Sequence, residues 1–285
     1  MKIIQTISEL DKTLATYRAS GKKIGFVPTM GALHKGHISL INYSKQECDI
    51  TVCSIFVNPT QFNDPKDLER YPRPLEEDEK MLTDAECDVL FIPFVSEMYP
   101  NNDFATLQED FGNLDKVMEG KARPGHFAGM ITIVSKLFGA VKPTIAYFGS
   151  KDFQQYTIVN YFVKKHKLPW IIKACPIIRE ADGLAMSSRN RLLTLEERKR
   201  AVLIPQTMNK VKEMWGSKSV DEIKQFVQDA FAKDGFLKLD YFEISYADTL
   251  EPILPQTPKG ALTNVVACIA TFDGKIRLID NVMLA

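Results

Sequence analysis

In TMGALHKGH, residues 29–37, His34 and His37 stand three apart among Gly31 and Gly36, directly after the apolar run KKIGFVPT. Imidazoles so spaced at a helix start project to one side. Beside unsatisfied backbone N–H groups and the positive end of the helix dipole they suit an anion such as phosphate, which glycine allows to approach the backbone. A metal site requires more ligands. No Glu lies between the two histidines, and the other two, His126 and His166, come from distant segments. A histidine pair that serves only the turn remains the alternative.

Four later stretches carry similar chemistry. In FVNPTQF, Asn58 and Gln61 flank Pro59 with amides able to recognise a hydroxyl, carboxylate or carbonyl, although Asn-Pro also starts turns. In ARPGHFAGM, Arg123 and His126 precede a helix, and the arginine can hold an anion bidentately. YFGSKDFQQY sets Gly149, Ser150, Lys151 and Asp152 at a strand-to-helix turn, with Lys151 placed to meet a phosphate and Gln155 facing the same crevice as Gln61. Asp152 can equally cap the helix. In IIREADGLAMSSRNRLL, Ser187, Ser188 and Arg189 form a hydroxyl-rich loop with a cation, suited to β- and γ-phosphates. A solvated linker is the bland alternative. DPKDLERYPRP reads as an irregular charged lid.

These stretches need a scaffold that brings them to one rim. From Lys22 onward short apolar runs alternate with helical spacing: a helix over about 36–46, a strand over 49–57, the helix LEEDEKMLTDAE, a strand over 87–94, helices about 127–138 and 152–166, and strands over 144–149 and 170–178. Strands apolar nearly throughout predict an α/β, Rossmann-like, doubly wound parallel sheet covered on both faces. Ligands then bind at the carboxyl ends of the strands. Beyond Ile178 the rhythm changes to helices opened by capping boxes, Thr194 with Glu197 and Ser219 with Glu222, and then to a hairpin with Asp273-Gly274 at its turn. The expected organisation is a domain over 1–178 and a smaller C-terminal α+β domain over 179–285, with the Ser187–Arg189 loop near its start.

Composition excludes several classes. Thirty-six basic and thirty-six acidic residues cancel, which leaves no global field for nucleic acid or an anionic membrane. No apolar run has the length of a membrane helix, and the N-terminus fits neither a signal nor a transit peptide. Five scattered cysteines without a C-x-x-C pair predict buried reduced thiols and a cytoplasmic protein.

H-K-G-H at 34–37 resembles the H-x-G-H signature of the nucleotidyltransferase superfamily, and A-M-S-S-R at 185–189 resembles its second ATP loop. Together PTMGALHKGH, FVNPTQF, YPRPLEED, ARPGHFAGM, YFGSKDFQQ and READGLAMSSRN resemble the pantothenate synthetase (pantoate–β-alanine ligase) family. That resemblance implies adenylation of pantoate by ATP, displacement of AMP by β-alanine, Mg2+ accompanying the ATP, and a homodimer. It implies that His34, His37 and Lys151 are catalytic. It implies ATP contacts at Met30, Gly31, Gly36, Gly149, Ser150, Asp152, Ile178, Met186, Ser187, Ser188 and Arg189. Gln61, Gln155 and Asn58 would bind pantoate, and Gln61 also β-alanine. Ala128, Ser150 and Phe153 depart from the family pattern, which often has Arg, Glu and Tyr there. No magnesium ligand is readable. The competing readings are another H-x-G-H transferase acting on a phosphorylated acceptor, and an RNA-binding relative.

Overall fold

The computed structural model describes residues 1–62, 65–254, 257 and 262–285. The chain opens on a short strand, β1 (Lys2–Ile4), and helix α1 (Ile7–Ala19), whose first turn is capped by the Thr6 hydroxyl accepting from the Glu9 N–H. β2 (Ile24–Thr29), α2 (Lys35–Glu47) and β3 (Ile50–Ile55) follow as the expected β-α-β unit. Then come α3 (Pro65–Arg70), α4 (Leu75–Asp84), β4 (Val89–Phe91), α5 (Val95–Met98), α6 (Met118–Ala122) and α7 (His126–Val141). β5 (Ile145–Gly149), α8 (Phe153–Lys165) and β6 (Ile171–Cys175) complete this half.

All six strands are parallel, in the order β1-β4-β3-β2-β5-β6. From β2 the chain builds outward through β3 and β4, then returns to add β5 and β6 on the other side. The switch therefore lies between β2 and β5, and the crevice outside their carboxyl ends is where ligands bind in such sheets. Alternate strand residues face opposite layers. Phe26, Val52, Val89 and Ala146 pack toward α1, α7 and α8, whereas Val27, Cys53, Leu90 and Tyr147 pack toward α2 and α4. This two-sided burial is why these strands read as continuous apolar runs.

The C-terminal part holds α9 (Leu195–Arg200), α10 (Leu203–Met214) and α11 (Val220–Asp234), then an antiparallel sheet of β7 (Lys238–Tyr246), β8 (Val265–Asp273) and β9 (Ile276–Met283). Both predicted capping boxes are present. β8 is buried on both faces. Val265, Ala267 and Ile269 join the core of α10 and α11, while Val266 and Cys268 join the core of the large sheet.

Four local readings change. β1, Lys-Ile-Ile, is only three residues long and carried too little pattern to be expected. The helical run after Thr194 breaks at Ala201-Val202 into α9 and α10. In the hairpin, Asp273 pairs with Ile276, so Gly274 (φ +56°) and Lys275 form the turn. The charged stretch after Gln61, whose first residue Asp64 lies outside the described residues, contains the helix α3 rather than being irregular throughout. All five cysteines are free thiols, four of them buried.

Candidate active site

At the carboxyl ends of β2 and β5 lies a cleft of about 210 Å³. Met30, His34, Gly36 and His37 reach it from the loop and helix start after β2, and Gln61 from the turn after β3. Gly149, Lys151, Asp152 and Gln155 come from the end of β5 and the start of α8. Ile178, Met186, Ser187, Ser188 and Arg189 close the opposite side. Three expected contacts are not on this wall. Gly31, Ser150 and Asn58 are not among its lining residues, and their geometry shows what each holds.

His34 is the N-cap of α2, and its Nδ1 accepts from the Gly36 N–H at 3.1 Å. His37 Nδ1 accepts in turn from the His34 N–H at 3.3 Å, a capping box made of two imidazoles. A Cβ on Gly36 would stand 2.8 Å from the His34 ring, so the bare backbone here accommodates the protein's own imidazole. Burial first, and then the charge of Lys151, lower the His34 pKa to about 4. Burial and His34 lower that of His37 to about 3. With Nδ1 an acceptor and the ring neutral, the proton sits on Nε2 in both.

The loop ahead of these histidines is held by a carboxylate to which the sequence reading gave no role, the last residue of the YPRPLEED block. Asp78 of α4, 1% exposed, accepts from the Ala32 N–H at 2.8 Å and the Leu33 N–H at 2.7 Å. Gly31 (φ +80°) and Ala32 (φ +51°) turn the backbone to meet it, and a Cβ on Gly31 would come within 3.0 Å of Asp78 Oδ2. Gly31 thus shapes the loop from behind. The Leu33 carbonyl accepts from Arg191 Nη2 at 3.1 Å, which ties this loop to the segment after Ser188.

Asn58 is buried, with all its hydrogen-bonding positions occupied. Its Nδ2 donates to the Gly129 carbonyl (3.1 Å) and to Gln61 Oε1 (3.0 Å), and its Oδ1 accepts from the Tyr99 hydroxyl (2.6 Å) and the Thr60 hydroxyl (3.2 Å). Because a carbonyl can only accept, Gly129 fixes which way the Asn58 amide points, and Asn58 then fixes Gln61. Gln61 is left with Nε2 as a donor toward the cleft. His126 Nδ1 donates to the Gln61 carbonyl at 2.9 Å, and its Nε2 accepts from Arg123 at 3.2 Å. Burial and then Arg123 lower the His126 pKa to about 4. The neutral ring serves the Gln61 backbone.

On α8 the adjacent glutamines separate. Gln154 is buried, donating to the Leu114 and Val117 carbonyls and accepting from the Glu119 N–H. Gln155 lines the cleft, with no partner for its amide among the described residues. Asp152 does not cap α8 with its side chain; its carboxylate pairs with Lys151 at 3.2 Å. Burial opposes ionisation of Asp152, but Lys151 and then Arg189 prevail and lower its pKa. Ser150 contributes its carbonyl to a bond away from the cleft, accepting from Asn281.

Residues 178–186 form a tight hairpin, with Met186 N–H donating to the Ile178 carbonyl at 2.9 Å and Gly183 (φ +91°) at its turn. That pairing sets Ile178 and Met186 side by side on the cleft wall. The Ser187 hydroxyl accepts from the Arg189 N–H at 3.3 Å, and Ser188 meets the Tyr71 hydroxyl at 3.4 Å. Tyr71, itself buried in the lining, joins the charged stretch to this loop. Neutral imidazole donors, a lysine, an arginine and serine hydroxyls thus face one crevice, as stabilisation of a polyphosphate requires.

The sequence profile described as Pantoate-beta-alanine ligase matches residues 2–283. The chain belongs to this ligase family. It is similar to the pantothenate synthetase of Bacteroides fragilis, 49% identical over 99% of this chain and 98% of that protein, and to that of Caldicellulosiruptor bescii, 45% identical over 100% and 99%. Among solved structures, pantothenate synthetase from Thermus thermophilus superposes with a TM-score of 0.91 at 38% identity, covering 100% of this chain and 99% of that one. A pantoate-beta-alanine ligase from Francisella tularensis, complexed with beta-gamma ATP and beta-alanine, gives 0.81 at 35% identity, covering 100% and 98%. The ligase is an enzyme of pantothenate biosynthesis, and a transferase acting on a phosphorylated acceptor is not favoured. Among the described residues no helix is long and apolar enough to cross a membrane.

Proposed function

We propose that this ligase activates pantoate and transfers it to β-alanine in the cleft between β2 and β5. In the first step the pantoate carboxylate attacks the α-phosphorus of ATP, and pyrophosphate leaves. In the second the amine of β-alanine attacks the activated acyl carbon, AMP leaves, and pantothenate forms. His34 and His37 donate from Nε2 to the phosphates and stay neutral. Lys151 and Arg189 supply the positive charge, and Ser187 and Ser188 the hydroxyl donors. Met30, Gly36, Gly149, Ile178 and Met186 form the walls for the nucleotide.

Gln61 presents its Nε2 donor to pantoate and, in the second step, stands beside β-alanine. Gln155 offers the second amide from across the cleft. Asn58, Gly31 and Ser150 take part indirectly, as supports of Gln61, of the histidine loop and of the Lys151 turn. Orientation and fixed charge are the enzyme's main contributions to adenylation.

Mg2+ is the expected companion of ATP, where it neutralises phosphate charge. Among the described residues, Asp152 is the single acidic side chain in the cleft lining. Magnesium is ordinarily held by one or two carboxylates together with substrate phosphates, so Asp152, whose carboxylate pairs with Lys151 here, is the side chain that would help to hold it. We further propose a homodimer, a cytoplasmic location and a division into units at 1–178 and 179–285. The separate core of α10 and α11 supports that division, although β8 also contributes to the first core.

The observation that carries this reading is the convergence of two neutral Nε2–H donors, Lys151 and two cleft-facing glutamine amides on one cleft at the switch point. The test is pyrophosphate release from ATP and Mg2+ with and without pantoate. Release that does not require pantoate contradicts it.

A further inference from the structure

Asn281 lies on β9, opposite Cys268 of β8 and 5% exposed, yet its side chain reaches back to the turn after β5. Its Nδ2 donates to two successive carbonyls, those of Ser150 and Lys151, each at 2.9 Å. Both hydrogens of one amide are therefore used on adjacent peptide groups. The Asn281 backbone is anchored from its own strand. Asn281 N–H donates to Asp280 Oδ1 at 2.8 Å, and Asp280, itself buried, forms a two-point pair with Arg179 at 2.7 and 3.0 Å.

The consequence follows from peptide geometry. In a trans peptide the C=O and N–H point in opposite directions, and there is no cis bond among the described residues. Drawing the Ser150 and Lys151 carbonyls toward β9 therefore turns the N–H groups of Lys151 and Asp152 away from it. Those N–H groups stand at the start of a helical run, where donors lack intrahelical acceptors. The same restraint fixes the Cα of Lys151, from which the ammonium extends along the cleft.

We propose that Asn281 is a positioning residue for nucleotide phosphates: from the C-terminal sheet it aims two backbone N–H groups and the Lys151 side chain at the ATP site. This rests on the reading of Lys151 as a phosphate contact. It gives the small sheet a part in the ATP half-reaction.

The test compares Asn281→Ala, Asn281→Asp and Lys151→Ala in pantoate-dependent pyrophosphate release, with saturation by ATP and by β-alanine measured separately and stability followed in urea. Asn281→Ala should raise the KM for ATP and lower kcat, together costing about 10–100-fold in kcat/KM, the scale of small misplacements of reacting groups. The KM for β-alanine should be unchanged. Asn281→Asp keeps the shape but puts oxygen against two carbonyl oxygens, so it should be at least as damaging as alanine. A purely packing role predicts the opposite order, and that order would overturn the proposal. Unaltered ATP dependence in both Asn281 variants, with Lys151→Ala impaired, overturns it alone. A fully active Lys151→Ala overturns the assignment of Lys151 and this inference with it.

Discussion

His34 and His37 each accept a backbone N–H on Nδ1, with their ring centroids 4.1 Å apart. One local hydrogen-bond arrangement thus caps α2 and sets the tautomer of both rings. A histidine that donates while neutral does not need acid to function. NMR of the ring nitrogens should find both rings as the Nε2–H tautomer and still neutral at about pH 5, well below the usual histidine value of about 6.5. Titration of either ring near that usual value would contradict the assignment.

The same depression makes folding sensitive to acid. His126 titrates at 6.5 when unperturbed and at about 4 in the fold, so the unfolded chain binds more protons between those values. Its contribution is complete above the unfolded value and is lost as pH falls toward the folded one. Unfolding free energy should therefore rise with pH across that window. Each such histidine steepens the slope by at most about 1.4 kcal/mol per pH unit. Urea titrations of His126→Gln should show a shallower slope, whereas an unchanged slope would remove His126 from this account.

Substitution of the phosphate donors should show in rate. His37→Ala or Lys151→Ala should each remove at least about 2 kcal/mol of transition-state stabilisation, roughly 30-fold in kcat/KM. Pantoate-dependent pyrophosphate release is the measurement, and activity within a few-fold of the parent in both variants would refute these roles.

The two amides should behave differently. Gln155→Ala removes a donor that faces the cleft without holding anything else among the described residues, so it should raise the KM for pantoate and leave stability and the KM for ATP nearly unchanged. Asn58→Ala releases Gln61 and takes one partner each from the Gly129 carbonyl and the Tyr99 hydroxyl, both of which keep the Thr60 hydroxyl, so it should also cost about 0.5–1.5 kcal/mol of stability for each hydrogen bond lost. Pantoate saturation curves paired with denaturation separate the cases. An Asn58 variant as stable as the parent would argue against the buried network.

Much of this arrangement was legible in the sequence because it is local. The strand-turn-helix rhythm sets the order of β2 to β6, and H-K-G-H carries its own cap. What escaped was long-range or masked by composition. Asp78 sits among Glu76, Glu77 and Glu79, and only the fold shows which carboxylate turns inward onto Ala32 and Leu33. Asn58 carries the right amide in the right turn, but its burial depends on Tyr99 and Gly129, from elements that no spacing rule connects to it. Asn281 lies 130 positions from the Lys151 carbonyl it holds.

Asp78 gives a prediction of its own. Asp78→Asn keeps the size but exchanges one acceptor for a donor, leaving either the Ala32 or the Leu33 N–H without its partner. The loop should loosen and pyrophosphate release should slow, while pantoate binding through Gln61 and Gln155 persists. Hydrogen exchange at Ala32 and Leu33 reads the loop directly. Parent-like protection there would show that Asp78 does not hold it.

The joint between the two sheets supplies the last case. Glu119 of α6 accepts from Arg277 of β9 at 2.6 Å and from the Tyr241 hydroxyl of β7 at 2.9 Å, and Arg277 also reaches Asp240 at 2.8 Å. The Glu119 and Arg277 side chains are only 11% and 16% exposed. Burial raises the Glu119 pKa, but Arg277 and Tyr241 outweigh it and hold the carboxyl below its ordinary range. Arg277→Met leaves buried Glu119 with only the more distant Arg123, 3.9 Å away, as its cation, so it should destabilise the protein by up to about 3 kcal/mol. Adding Glu119→Gln removes the poorly compensated charge and should recover part of that loss. The double-mutant cycle therefore has a defined sign: the pair of substitutions costs less than the sum of the two alone. Additive losses would mean that Glu119 and Arg277 are not coupled across the joint.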